Sequence, residues 1–176
     1  MLFRSLPKSL VFSVTSDKII ADAEKWKAIG ADGFFLEGVA SEWSSNIWAT
    51  DGKPETIGAS DETFQKVRQA NDICAKLGMV NFLKVAFSTP FNWFDDAAWP
   101  GNVDKFRQFA IFARDSGCKG VALDIEYIGQ QYVFDWPGYD YKGYTRADLI
   151  QKIRERATKI MSGRSEERRV GKECRL

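Results

Sequence analysis

The stretch that decides the fold is Cys74–Phe87, CAKLGMVNFLKVAF. It opens at the end of an amphipathic stripe, Phe64, Val67, Ala70, Cys74 and Leu77, whose three- and four-residue steps share one helix face. Gly78 supplies the stop, and Val80–Phe87 then reads as an apolar strand broken only by Asn81 and Lys84. The same unit recurs along the chain. Strand Leu10–Thr15 leads into a helix that opens at Ser16-Asp17, carries Ile19, Ala23 and Trp26, and stops at Gly30. Strand Asp32–Glu37 precedes the helix that opens at Ser60-Asp61. A third helix, opening near Asn102 with Phe106, Phe109, Ala110 and Ala113, stops at Gly117 before strand Gly120–Ile125. A fourth opens at Thr145, with Asp148 three residues on and Leu149, Ile153, Ala157 and Ile160 as its stripe.

Strand–helix alternation of this kind implies an α/β fold of parallel strands joined by right-handed crossovers. Helices return to strands through very short turns, whereas Gly38–Ala59, Ser88–Gly101 and Tyr127–Tyr144 are long loops that all follow strands. In parallel α/β folds the ligand face lies beyond the strands' C-terminal ends. Four units make the N-terminal half of a (β/α)8 TIM barrel; the alternative is a doubly wound parallel sheet. Aromatic residues follow the loops. All five tyrosines lie in Tyr127–Tyr144, and Trp43, Trp48, Trp93, Trp99 and Trp136 lie in the three loops. Flat aromatic faces suit the apolar faces of sugar rings, or else form cores private to the loops. No glycine-rich phosphate cradle appears among them.

The composition narrows the chemistry. The 176 residues are 44% hydrophobic and 28% charged, with net charge +1, as expected of a globular chain and without the basic field that nucleic-acid binding needs. No apolar run approaches the roughly 20 residues of a membrane span. Met1–Lys8 is too short for a signal peptide and has no apolar core. The three cysteines are too widely spaced for a disulfide framework or a zinc site, and histidine is absent. Catalysis would therefore run on carboxylates, lysines or tyrosines.

In Gly120–Glu126, GVALDIE, alternation puts Val121, Leu123 and Ile125 on the face toward the helices and Ala122, Asp124 and Glu126 on the inner one. Two carboxylates two residues apart on one face repel, which favours a proton on one of them and suits a general acid. Glu37 ends the second strand at the same level, sharing a face with Gly33 and Phe35. Lys84 shares a face with Phe82 and Ala86; it either partners Asp124 or Glu126 inside or snorkels outward along a helix.

The segment Cys118–Glu126, CKGVALDIE, resembles the strand-four signature of family 18 chitinases and related barrel glycosidases, Asp-Gly-x-Asp-x-Asp-x-Glu. Gly120, Asp124 and Glu126 fall on the glycine, the last aspartate and the catalytic glutamate, while Lys119 and Ala122 replace the first two aspartates. The resemblance implies a glycoside hydrolase acting on a poly- or oligosaccharide, with Glu126 as general acid/base and Asp124 as its orienting partner. The expected substrate-binding set is Glu37, Lys84, Trp43, Trp48, Trp93, Tyr127 and Trp136, with no metal and no cofactor. Two other expectations stand beside it. One is a barrel enzyme that binds Mg²⁺ or Mn²⁺ through Glu37, Asp124 and Glu126. The other is a carbohydrate-binding barrel without turnover.

Arg164–Cys174, RSEERRVGKEC, resembles a reading-frame translation of a sequencing adapter. The expected division is therefore 1–163, a partial β/α barrel catalytic domain, and 164–176, a non-native tail. Such a fragment would itself be inactive, because glycosidases need a second carboxyl function or a substrate group in its place. It would also self-associate through the open edges of its half barrel.

Overall fold

The computed structural model describes residues 9–39, 45–46, 60–86, 93–97, 99–124 and 143–173. In chain order these form β1 (Leu10–Thr15), α1 (Ser16–Ala28), β2 (Gly33–Glu37), β3 (Ser45–Asn46), α2 (Asp61–Lys76), β4 (Val80–Ala86), α3 (Trp99–Asp115), β5 (Gly120–Asp124) and α4 (Arg146–Glu173). The fold is α/β with a parallel sheet. β1 pairs with β2, β2 with β4 and β4 with β5, so these four strands neighbour one another in chain order. The two-residue β3 pairs with Val85 and Ala86. Because β5 occupies the other edge of β4 at those residues, β3 continues the β2 side.

One turn is built three times. Gly30, Gly78 and Gly117 take φ of +98°, +70° and +89°, the left-handed conformation that ends a helix without a Cβ clash. After each, the amide of the next residue reaches back five residues: Ala31 to Trp26, Met79 to Cys74 and Cys118 to Ala113, at 3.0, 2.8 and 2.8 Å. Ala31, Met79 and Cys118 are all buried, the apolar contact that accompanies this cap. The sheet ladder starts directly beyond, with Asp32 N donating to Ser9 O, Val80 N to Asp32 O and Lys119 N to Asn81 O. At Gly33 the β2 and β4 backbones come so close that a Cβ would stand 1.7 Å from the Val80 carbonyl oxygen.

Strand alternation sorts the core. Phe34, Leu36, Leu83 and Val85 are wholly buried with Ile19, Val67, Ala70, Cys74, Phe106 and Phe109 of the helices. Consecutive helices lie side by side: α1 packs on α2 and α3 on α4, while Phe64 of α2 meets Phe112 of α3 edge-on at 5.4 Å. The opposite parity carries Phe12, Phe35 and Phe82, whose rings form a row at 5.9 and 6.1 Å spacing. Phe12 at the end of that row is 51% exposed.

Helix starts at Ser60 and Thr145 are as expected. Ser60 Oγ accepts from Thr63 N, and Thr145 and Asp148 form a reciprocal capping box. Four expectations change. α3 begins at Trp99, ahead of Asn102, because Pro100 in a first helical turn has no amide that needs a partner. The loop Gly38–Ala59 returns to the sheet as β3. α4 continues through the charged tail to Glu173, since Arg, Glu and Lys are strong helix formers and Gly163 and Gly171 cost only about 1 kcal/mol each. Leu123, expected against the helices, is 41% exposed on β5, for which no partner strand lies on its far side among the described residues.

Candidate functional site

The C-terminal ends of four strands bring a charged cluster together around Lys84. This side chain is 1% exposed, and an ammonium so buried must be paired to be tolerated. Its Nζ stands 3.0 Å from Asp124 Oδ2 on β5 and 3.9 Å from Glu37 Oε2 on β2. It donates to Ser13 Oγ on β1 at 2.8 Å and lies 4.3 Å from the centre of the Phe12 ring. Register explains the reach. Lys84 pairs across the ladder with Ala122, so Asp124 is the diagonal neighbour on the same face, two residues nearer the strand end. The lysine stem spans that offset and carries its charge toward the sheet's C-terminal edge.

Access is graded within the cluster. The Asp124 side chain is 8% exposed and that of Glu37 20%, so Glu37 is the member that meets solvent. Asp124 Oδ2 takes the ion pair but no hydrogen bond among the described residues. Among the described residues, one ammonium between two carboxylates gives the group a formal charge of −1. Among the described residues no three Asp, Glu or Cys side chains gather closely enough to hold a metal ion.

The β1 side of the cluster depends on an irregularity. Val11 pairs with Phe34 and Val14 with Leu36, so Phe12 and Ser13 together oppose the single Phe35, which makes a bulge. Ser13 takes φ +58°, a left-handed conformation that costs a non-glycine residue about 1–2 kcal/mol. In return, two adjacent residues face the same side and both touch Lys84.

Of the expected site residues, Asp124, Lys84 and Glu37 come together, and Lys84 takes the inward of its two expected positions. Glu126, Trp43, Trp48, Tyr127 and Trp136 lie outside the described residues. Trp93 is placed elsewhere, buried beside Trp99 with ring centres 6.1 Å apart. Its carbonyl accepts from Arg156 Nε of α4 at 3.3 Å, and the Arg156 guanidinium lies 4.6 Å over the Trp99 ring and pairs with Asp96. Trp93 is thus part of a loop core clamped by α4. Phe12 and Ser13 were not anticipated, because a bulge inverts parity and LVFSVT carries no sign of one beyond a serine in an apolar run.

A second buried polar group lies at the sheet's other end. Asn81 Nδ2 donates to Asn71 Oδ1 at 2.9 Å, and Asn71 Nδ2 donates to Ser116 O at 2.8 Å and to Cys118 Sγ at 3.3 Å. Burial pushes the Cys74 and Cys118 thiols above their ordinary range, which makes them poor nucleophiles at neutral pH. No protein-family model matches the chain, and neither does any curated protein or solved structure.

Proposed function

We propose that the chain is the first half of a (β/α)8 barrel and that its strand-end cluster belongs to a glycoside hydrolase. The observation that carries this reading is the convergence of Lys84, Asp124 and Glu37 on one face at the C-terminal ends of parallel strands, where barrel enzymes hold their chemistry. Strand order supports the barrel half of the proposal. A doubly wound sheet reverses its order at a switch point, whereas β1, β2, β4 and β5 run in one direction with consecutive helices adjacent.

In this reading Glu126, two residues beyond Asp124 and of the same parity, is the general acid/base. Asp124, fixed by Lys84, spends one oxygen on the ion pair and keeps carboxylate capacity to orient Glu126 or to stabilise a developing oxocarbenium charge. Glu37, the more open carboxylate, receives substrate hydroxyls. The ammonium between Asp124 and Glu37 occupies the place a divalent ion would need in order to bridge them, which favours acid/base chemistry over the metal-dependent reading.

Two measurements test the proposal. In a protein containing both barrel halves, Glu126→Gln keeps the side chain's shape but removes its proton, so hydrolysis of a glycoside with a poor leaving group should fall at least about 10²-fold. Near-normal turnover would remove Glu126 from the acid role. For residues 1–176 alone, the edges of β1 and β5 and the Phe12–Phe35–Phe82 row lead to self-association through the sheet. Light scattering should give a dimer or larger species that binds a hydrophobic dye. A compact monomer with a cooperative melt and no dye binding would rule out the half barrel.

A further inference from the structure

We propose that the β1 bulge is the device that positions Lys84, with Ser13 as the positioning residue; this rests on the reading of the strand-end cluster as the reactive site. Regular alternation allows only one of two adjacent residues to face the cluster. The extra residue between Val11 and Val14 lets Phe12 and Ser13 face it together, while Val14 stays in the core and Val11 packs against it. Both bulge residues then contact the same ammonium, Ser13 by its hydroxyl at 2.8 Å and Phe12 by its ring at 4.3 Å. The hydroxyl is held there against backbone preference, in a conformation that glycine or asparagine would enter more readily.

The role of Ser13 follows from the donors it serves. An ammonium carries three N–H donors and turns freely unless an acceptor stops it. Ser13 takes one N–H from the β1 side, which holds the ammonium in place between the β2 and β5 carboxylates. A neutral oxygen does this without competing for charge, whereas a third carboxylate on β1 would draw Lys84 away from Asp124. Ser13 thereby acts on Asp124 through Lys84 and needs no contact with substrate.

The test reads the ammonium itself, so it is independent of any assumed substrate. In the full chain labelled with ¹⁵N-lysine, the Lys84 ammonium signal is the one absent from Lys84→Arg, and its exchange with water is slow while the group is held. Ser13→Gly suits the left-handed backbone, so the bulge persists and the melting temperature does not fall. Loss of the hydroxyl should nonetheless speed Lys84 proton exchange at least about tenfold, the size expected for one hydrogen bond to a charged group. Ser13→Ala should give the same acceleration at a lower melting temperature. Unchanged exchange in both variants overturns the proposal, and so does acceleration in Ser13→Ala alone, which would trace the effect to the backbone. If exchange quickens in both while Glu126→Gln leaves hydrolysis untouched, the positioning role of Ser13 stands and only the acid role of Glu126 falls.

Discussion

The two ends of the sheet are built on opposite principles. At the N-terminal ends of the strands, three near-identical glycine turns, a close approach at Gly33 and neutral amide hydrogen bonds among Asn71, Asn81 and Ser116 hold the layers together. At the C-terminal ends β1 runs directly into α1, and long stretches of chain separate β2, β4 and β5 from the helices that follow them. There the buried polar groups are charged, and the backbone carries a left-handed serine in a strand. The first end repeats one economical solution; the second departs from it in each strand differently. Irregularity that costs stability is tolerated where it aims side chains at one point, and Lys84 is that point.

The sharpest way to break the comparison is at Gly33. The atoms a new Cβ would meet are backbone, the Val80 carbonyl at 1.7 and 2.7 Å, so no side chain can swing aside to make room. Gly33→Ala should force β2 from β4 and cost more than about 4 kcal/mol, enough to abolish a cooperative melt in a marginal domain. A variant that melted within a few degrees of the parent would show that the N-terminal end yields more readily than its regular turns imply.

Lys84 tests the other end. Lys84→Met leaves Asp124 buried without its countercharge and should cost about 3 kcal/mol by thermal or denaturant unfolding. The informative variant is the double one. If the cluster is maintained for chemistry and not for stability, Lys84→Met with Asp124→Leu should recover most of the loss, since a buried ion pair rarely outperforms apolar packing. A double variant less stable than the single one would make the pair a structural brace and weaken its reading as a site.

How much of this was legible in sequence divides along the same line. The stops at Gly30, Gly78 and Gly117 and the starts at Ser60 and Thr145 are local events, decided by a few adjacent residues, and were readable directly. So was the inner parity of Glu37 and Asp124, because alternation needs no knowledge of the partner strand, whereas for Lys84 alternation gave the face shared with Phe82 and Ala86 and left inward and outward both open. What local pattern could not give was anything that depends on registration between strands. The bulge exists only relative to β2, so Phe12 and Ser13 were invisible as site residues. β3 is a strand only because β4 offers it an edge. For Trp93 the sequence left a binding surface and a loop core both open, because Arg156, its partner, lies 63 residues further along the chain.

A last and smaller effect separates the ends by pH. Hydrogen bonds from the Thr145 hydroxyl and amide hold the Asp148 carboxyl below the usual carboxylate range, and the Arg156 guanidinium does the same for Asp96. Asp96 ties α4 down through Arg156, and Asp148 caps that helix at its start. A depressed carboxylate contributes stability above its unfolded pKa of about 3.9 and loses it as pH falls through the lower folded value. The Cys74 and Cys118 thiols, at the opposite end, are raised by burial. Their contribution is present below the unfolded thiol pKa and is lost as pH rises through the higher folded one. The melting temperature should therefore fall in acid because of α4 and in alkali because of the N-terminal end. Asp96→Asn with Asp148→Asn should flatten only the acid limb, and Cys74→Ala with Cys118→Ala only the alkaline limb. If either pair of substitutions altered both limbs equally, the two ends would be titrating as one unit, and the separation drawn between them would not hold energetically.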